Sequence, residues 1–317
     1  MDWEEYTQWQ WTTVKARATR YLFRAENNVL KCSRLRTVSR YVLAQAGRHV
    51  SKRAATKRKE TSMQLSNKTI VVTGASSGIG AETARLLRFH GARVIGVDRN
   101  APGITLDGYV QADLSTSEGI DQAVKQLPPQ IDALCNIAGV PGTAAVDLVA
   151  RVNYLGLRHL TEHLLPRMPQ GSAIVNVASV LGAEWPQRVD LHRTLAQTAG
   201  FDAGAAWLAA HPVPQDTCYQ YFKEALIVWT LTQAQQLFLQ RSVRMNCVAP
   251  GPVFTPILGD FVTMIGAERM EKDAHRVKRP AYPDEIAPII AMLCAEETRW
   301  INGVNVPVDG GLASTYY

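Results

Sequence analysis

Residues 68–80 read KTIVVTGASSGIG, a short β-branched apolar run followed directly by a turn that contains three glycines. A helical pattern continues from this turn to Leu87. Strand, glycine-rich turn and helix in this order predict a dinucleotide cradle, because glycines let the backbone approach a pyrophosphate and a helix N-terminus supplies amide donors. The residues that we expect to contact the cofactor here are Gly74, Ser76, Ser77, Gly78, Ile79 and Gly80.

A second apolar strand, residues 93–97, ends at Asp98, eighteen positions after Gly80. A carboxylate at about this distance accepts hydrogen bonds from the ribose hydroxyls of adenosine and repels a 2′-phosphate. The sequence therefore predicts NAD rather than NADP, although Arg99 beside the carboxylate is a feature that favours NADP. The alternative is that Asp98 is only a turn residue at the end of a strand.

Tyr219 and Lys223 are four residues apart in the run CYQYFKEA, which places both side chains on one face of a helix. A free tyrosine has a pKa near ~10, and a fixed cation close to it favours the phenolate. The pair is therefore typical of an acid/base device. By itself the spacing also fits two surface residues that meet by chance.

These motifs occur in the order that is characteristic of the short-chain dehydrogenase/reductase family, which residues 63–317 resemble. The resemblance is carried by the glycine-rich turn, Asn136-Ile137-Ala138-Gly139, Asn153, Ser179, the Tyr219/Lys223 pair, Pro250-Gly251 and Asp309-Gly310-Gly311. It implies that Ser179 binds the substrate oxygen and that Tyr219 exchanges the proton. It also implies that Lys223 binds the nicotinamide ribose and lowers the pKa of the tyrosine, and that Asn153 holds a relay water.

The resemblance supplies further cofactor-side positions. Asp113 and Leu114 resemble the pair that meets the adenine, although a loop aspartate that caps a helix is a comparable interpretation. Asn136 and Gly139 resemble the cofactor-side turn, where the asparagine is better suited to bracing the neighbouring strands. The remaining positions are Pro250, Gly251 and Thr255, the last of which is expected near the carboxamide.

Residues 180–218 form an insertion between the serine and the tyrosine, which the family usually separates by about a dozen residues. We predict that this insertion is a lid over the substrate end of the cleft. Its length resembles that of bacterial coniferyl alcohol dehydrogenases, as do residues 136–143, 182–186, 219–226 and 313–316. A more distant resemblance is to bacterial 3α-hydroxysteroid dehydrogenases, which carry a comparable insertion. Trp185 and Trp207 would suit stacking on an aryl ring, or they anchor the insertion to the body of the protein.

The fold class expected for residues 63–317 is α/β, a doubly wound, mostly parallel, Rossmann-type sheet covered by helices on both faces. No run of eighteen uninterrupted apolar residues occurs, so we predict no membrane span. The predicted strands are residues 70–73, 93–97, 133–137, 173–177, 243–248 and 304–308.

Residues 1–62 differ in composition from the rest of the chain. They hold fourteen Lys and Arg against five Asp and Glu, so this segment contains all of the excess positive charge of a chain whose net charge is +6. Such an extension fits a nucleic-acid arm, a membrane-surface arm or a tether, and its early acidic residues disfavour a transit peptide. Another interpretation is that translation starts at Met63 and that the extension is not native.

Five cysteines without paired spacing and no secretory signal favour a reducing cytoplasm. His159 and His163 have the four-residue spacing of a ligand pair, but the resemblance implies a subunit-interface helix there, so no metal is expected. The cysteines thus predict a cytoplasmic protein, and the resemblance implies a homo-oligomeric NAD-dependent dehydrogenase that converts coniferyl alcohol to its aldehyde. No nucleic-acid partner is expected for residues 63–317. The alternatives are a 3α-hydroxysteroid dehydrogenase or carbonyl reductase, and a non-catalytic dinucleotide-sensing protein.

Overall fold

Seven parallel strands form one sheet in the order β3-β2-β1-β4-β5-β6-β7 in the computed structural model, which describes Met63 and residues 65–316. The strand order reverses between β1 and β4, so a crevice opens there at the carboxyl ends of the strands. The strands are β1 Thr69–Thr73, β2 Arg93–Asp98, β3 Gly108–Gln111, β4 Ala133–Asn136, β5 Ala173–Val177, β6 Arg244–Pro250 and β7 Asn305–Val308.

Helices cover both faces of the sheet, because β-strands buried on two sides need an apolar layer on each. α1 packs against α10 on one face, while α2, α4 and α7 lie on the other. The helices are α1 Gly78–Phe89, α2 Ser117–Gln126, α3 Val146–Ala150, α4 Leu157–Leu164, α5 Val189–Ala196, α6 Gly200–Ala210, α7 Cys218–Arg241, α8 Leu258–Ile265, α9 Ala267–Val277 and α10 Pro283–Cys294.

The strand β1 shows how the sequence specifies two cores. Val71 points into the core beneath α2, α4 and α7, whereas Ile70 and Val72 point into the core beneath α1 and α10. All three side chains are fully buried. A continuous β-branched run is therefore what this central strand requires, since neither face meets water.

The predicted fold class is confirmed, and all strands among the described residues are parallel. The six predicted strands are present to within two residues at each end, and β3 is an additional one. No described helix is long and apolar enough to cross a membrane. The hypotheses about residues 1–62 lie outside the described part of the chain.

Candidate active site

The glycine-rich turn joins β1 to α1 at the carboxyl edge of the sheet. Gly74 and Gly78 have φ angles of +70° and +53°, a backbone region that other L-residues rarely adopt. A Cβ atom at Gly80 would collide with the carbonyl oxygen of Gly74, so the turn and the helix pack together only without a side chain there. The turn and the first residues of α1 line a cavity, and this cavity faces the positive end of the helix dipole.

Asp98 ends β2, and its carboxylate is bound to the glycine-rich turn. Its Oδ2 accepts hydrogen bonds from the Ser76 backbone N–H at 3.0 Å and from the Ser76 hydroxyl at 2.7 Å. Its Oδ1 accepts the N–H of Asn100 at 3.0 Å. Asp98 and Arg99 both line the cavity, so a carboxylate and a guanidinium lie together at this end.

The predicted cofactor-side residues line this one cavity, with the exception of Asn136. Asn136 is buried and donates through its Nδ2 to Thr161 Oγ1 and to Asn176 Oδ1, both at 2.9 Å. It therefore braces β4 and β5 against α4, the role to which its position is better suited, and a direct contact with the cofactor stays a prediction. The lining residues beyond the glycine-rich turn and Asp98 include Asp113, Leu114, Gly139, Ser179, Tyr219, Lys223, Pro250, Gly251 and Thr255.

Asp113 forms a local turn and does not cap α2. Its Oδ1 accepts the backbone N–H of Ser115 at 2.9 Å, whereas the cap of α2 is Thr116, whose hydroxyl accepts the N–H of Gly119 at 3.1 Å. The hydrogen bonds with Ser115 hold the pKa of Asp113 below its usual value. The helix-cap interpretation of Asp113 is therefore wrong, and its side chain lines the cavity.

Tyr219 and Lys223 lie in the first two turns of α7 and are both nearly buried, with 7% and 4% of their surface exposed. The Lys223 Nζ donates to the carbonyl oxygen of Val177 at 2.8 Å and lies 5.5 Å from the centre of the Tyr219 ring. Ser179 follows β5 by two residues, and its hydroxyl accepts the N–H of Leu181 at 3.2 Å. The structure thus brings Ser179, Tyr219 and Lys223 to one wall of the cavity.

Burial is the main cause of the pKa shifts of Tyr219 and Lys223. It raises the pKa of Tyr219 above the usual value, and the hydrogen bond with Ser179 opposes that rise. Burial also lowers the pKa of Lys223 to about 8. Loss of hydration destabilises the buried phenolate and sets the direction of this shift, and the predicted lowering of the tyrosine pKa by Lys223 stays a prediction.

Asn153 lies in one turn of π-helix, Arg151–Gly156, between α3 and α4. Such a turn inserts an extra residue into a helix and is frequent at functional sites. The Asn153 Oδ1 accepts the N–H of Val140 at 2.8 Å, and its Nδ2 donates to the carbonyl oxygen of Val140 at 2.9 Å. The side chain is fully buried and is not among the lining residues, so the relay-water role stays a prediction.

The cavity has a volume of about 410 Å³, within the range of small-molecule sites. Phe261 of α8 meets the ring of Tyr219 edge-to-face at 5.0 Å, so an apolar wall adjoins the phenol. This wall was not predicted, although Phe261 and Ile265 have helical spacing in the residues that follow Thr255. The apolar lining residues include Val140, Leu148, Val152, Leu181, Ile257, Phe261, Ile265 and Met270.

The insertion, residues 180–218, contributes little to the cavity wall. Val180 and Leu181 line the cavity, and the other described residues of the segment do not. Trp185 and Trp207 pack against the core beneath α7, and Trp207 stacks on His211 at 4.0 Å. The tryptophans therefore anchor the segment to the body of the protein, which is the second of the two interpretations. The apolar side chain beside Tyr219 comes from α8.

Asp121 of α2 lies beside His159 and His163 of α4, and their possible ligand atoms all lie within 4.8 Å of one another. The fold thus supplies the acidic partner that the sequence does not reveal. His159 Nε2 lies 2.9 Å from Asp121 Oδ1, which is an ordinary hydrogen bond and accounts for the contact without an ion. The cluster does not line the cavity.

Family models match most of the described chain. A model described as short chain dehydrogenase matches residues 68–189, and one described as enoyl-(acyl carrier protein) reductase matches residues 204–313. Coniferyl-alcohol dehydrogenase of Pseudomonas sp. (strain HR199 / DSM 7063) is 69% identical over 254 residues, which make up 80% of this chain and 100% of that protein. The chain belongs to the short-chain dehydrogenase/reductase family.

More distant members are similar over the same part of this dehydrogenase. The 3-alpha-hydroxysteroid dehydrogenase/carbonyl reductase of Comamonas testosteroni is 32% identical, with 77% of this chain and 95% of that protein covered. A solved 3-alpha-hydroxysteroid dehydrogenase from Pseudomonas sp. B-0831, complexed with NADH, superimposes with a TM-score of 0.66 at 32% identity, covering 78% and 98% of the two chains. The protein is an alcohol dehydrogenase of this family that acts on CH–OH groups.

Proposed function

We propose that this dehydrogenase oxidises coniferyl alcohol, a primary aromatic alcohol, to its aldehyde with NAD as the coenzyme. The observation that carries the proposal is the 69% identity to a coniferyl-alcohol dehydrogenase over that protein's whole length. The apolar wall beside Tyr219 supports it, because a flat aryl ring buries its faces against such side chains.

The residues on the cavity wall suit the removal of a proton and a hydride from an alcohol. Bound NAD supplies the hydride acceptor. The Ser179 hydroxyl would hold the alcohol oxygen, and Tyr219 would take the hydroxyl proton as the C–H bond breaks, once the phenol has lost its own proton towards Lys223. Lys223 would bind the nicotinamide ribose, and its pKa of about 8 would let it accept that proton and pass it onward near neutral pH. A non-catalytic sensing protein would have no need of this set.

The other end of the cavity suits the adenosine half of NAD. The glycine-rich turn and the N-terminus of α1 would hold the pyrophosphate, and Asp98 would accept the ribose hydroxyls. A 2′-phosphate placed there would meet the Asp98 carboxylate, which is already oriented by Ser76. These contacts favour NAD over NADP.

The second candidate substrate is a 3α-hydroxysteroid or a related carbonyl compound. Two hydroxysteroid dehydrogenases are 32% identical to this chain over most of their lengths, and one of them was solved with NADH. A steroid is also flat and apolar, so the same wall would accommodate it. We rank it second because the identity to the coniferyl-alcohol enzyme is about twice as high.

We further infer that the enzyme works in the cytoplasm as a homo-oligomer. The four cysteines of the described chain are all free and buried, which suits a reducing compartment. Trp300 and Leu239 are 88% and 74% exposed, and a second copy of the chain would cover such large apolar side chains. Light scattering on the purified protein measures the assembly state directly.

The substrate proposal is tested by assaying the purified protein with coniferyl alcohol and a 3α-hydroxysteroid, each with NAD and with NADP. We expect the highest kcat/KM for coniferyl alcohol with NAD. A higher value for the steroid supports the second candidate instead. Turnover of neither compound contradicts both substrate proposals.

A further inference from the structure

Glu224 follows Lys223 on α7, and its buried carboxylate holds the insertion to the catalytic helix. The Arg188 guanidinium donates from Nε to Glu224 Oε2 at 2.7 Å and from Nη2 to Oε1. The Nε2–H of His192 donates to Oε2 at 2.8 Å, since an ionised carboxylate only accepts. Glu224 and His192 are both fully buried. Two residues of the insertion thus form hydrogen bonds with one side chain of α7.

This contact is electrostatic and depends on both of its partners. Burial by itself would raise the pKa of Glu224, yet the hydrogen bonds from Arg188 and His192 outweigh burial and lower it. The same hydrogen bond raises the pKa of Arg188. A carboxylate at this depth is tolerated only while it is paired, so the partners cannot be exchanged for apolar residues one at a time.

A second contact lies between the residues after Ser179 and the same part of α7. Gly182 ends the short turn Val180–Gly182, which begins directly after Ser179. A Cβ atom at Gly182 would lie 3.1 Å from the backbone carbon of Lys223 and 3.2 Å from the backbone nitrogen of Glu224. The segment that carries Ser179 therefore rests on the helix backbone at the residues that follow the catalytic tyrosine by one turn.

We propose that Glu224 is a positioning residue, which, through Arg188 and His192, fixes the turn that carries Ser179 against the helix that carries Tyr219 and Lys223. The insertion then serves as a brace for the catalytic wall. This inference rests on the proposed roles of Ser179, Tyr219 and Lys223. A displacement of about 1 Å between reacting groups costs a large factor in rate, so a link that holds the two elements in register acts on kcat.

The brace also explains which polar residues of the insertion face the protein interior. Arg188 and His192 lie on either side of the start of α5 and both turn towards α7, whereas Arg193 and Asp190 pair with each other on the exposed side. The far end of α5 has its own attachment, because buried Arg158 of α4 donates to the carbonyl oxygen of Leu195 at 3.2 Å. The helix α5 is thus attached near both of its ends, and the Glu224 contact is the one that adjoins the catalytic residues.

The test compares Glu224→Gln and Arg188→Gln with Arg193→Gln as the matched control on the exposed side of α5. The readouts are kcat and KM with the best alcohol of the wild-type enzyme, the Kd for NAD, and the midpoint of thermal unfolding. We expect the first two variants to lower kcat by about tenfold or more while the Kd for NAD stays within about twofold. Arg188→Lys should recover part of the loss, and Arg193→Gln should match wild type.

Folded Glu224→Gln and Arg188→Gln variants with wild-type kcat and a lowered unfolding midpoint would overturn the positioning role and leave a purely structural one. If Glu224→Gln does not fold, Arg188→Gln decides the question, because it leaves Glu224 paired with His192. A wild-type enzyme that oxidises no alcohol overturns both the proposed function and this inference. Active wild type with unaffected variants overturns the inference alone.

Discussion

The ammonium group of Lys223 donates a hydrogen bond to the carbonyl oxygen of Val177 at 2.8 Å, which ties the catalytic helix α7 to the carboxyl end of β5. Val177 precedes Ser179 by two residues, so this bond also links the two elements that form the catalytic wall. The lysine is almost completely buried, and its charge therefore lies in a poorly hydrated environment. The hydrogen bond fixes the position of the ammonium group, and the loss of its hydration lowers the stability of the fold.

We predict that Lys223→Met stabilises the fold at neutral pH and abolishes most turnover. Burial lowers the pKa of Lys223 from 10.5 to about 8, so below pH 8 the folded state bears the cost of a buried ammonium. Between pH 8 and 10.5 the unfolded chain binds a proton that the folded chain has released, and the stability of wild type rises with pH. At pH 7 the buried ammonium lowers the free energy of unfolding by at most about 3 kcal/mol, and the hydrogen bond to Val177 offsets part of this cost.

Urea unfolding of both proteins at pH 7 and at pH 10 measures this effect. The variant should be more stable than wild type at pH 7, and its advantage should shrink at pH 10. The difference between two proteins that share every other titrating group isolates the lysine. An advantage that is the same at both pH values would show that the Lys223 pKa is not depressed.

We predict that Asp98→Ala narrows the preference for NAD over NADP, measured as the ratio of kcat/KM with the two coenzymes. The variant loses an acceptor for the ribose hydroxyls and a charge that repels the 2′-phosphate. A loss of about 1.5–3 kcal/mol for a charged hydrogen-bonding group corresponds to roughly tenfold to a hundredfold in the ratio.

Asp98→Asn separates the two contributions of this side chain, because it keeps an acceptor oxygen and removes the charge. It should improve the use of NADP as much as Asp98→Ala does, while losing less with NAD. A wild-type enzyme that already prefers NADP would mean that Arg99 dominates at this end of the cavity, and the coenzyme assignment would be wrong.

We predict that Phe261→Ala raises KM for coniferyl alcohol by about tenfold and affects a short aliphatic alcohol much less. Phe261 adjoins the Tyr219 ring on the apolar wall, and apolar burial contributes about 25 cal/mol per Å², which a small alcohol cannot exploit. Trp207→Ala is the matched control, since this ring packs on His211 and is not among the lining residues. A larger effect on KM from Trp207→Ala than from Phe261→Ala would instead support the hypothesis that the insertion contacts the substrate.

The parts of the structure that depend on residues close together in the chain could be predicted from the sequence. The glycine-rich turn requires the φ angles found at Gly74 and Gly78, and the β-branched run before it suits a strand buried on both faces. Strand β3 was missed because it has four residues and buries one, Val110, at the edge of the sheet. So short an edge strand has no periodicity to detect.

The parts of the site that were missed depend on contacts between distant residues. Arg188 and Glu224 are thirty-six positions apart, and nothing in either sequence neighbourhood indicates the pair. Aromatic character alone did not distinguish Trp207, which packs on the core, from Phe261, which lines the cavity. The rise in the pKa of Tyr219 that burial causes could not be predicted either, because the spacing to Lys223 is visible in the sequence and the burial of the phenol is not.

The most direct test of the account is the turnover of Tyr219→Phe, measured with coniferyl alcohol and NAD beside the Kd for NAD. The variant loses only the hydroxyl that exchanges the proton, so turnover should fall by several orders of magnitude while NAD binds as in wild type. Tyr221→Phe is the control, since the ring of this half-buried tyrosine meets His192 edge-to-face and the residue is not among those that line the cavity. Retention of more than about a tenth of wild-type activity by Tyr219→Phe would contradict the account.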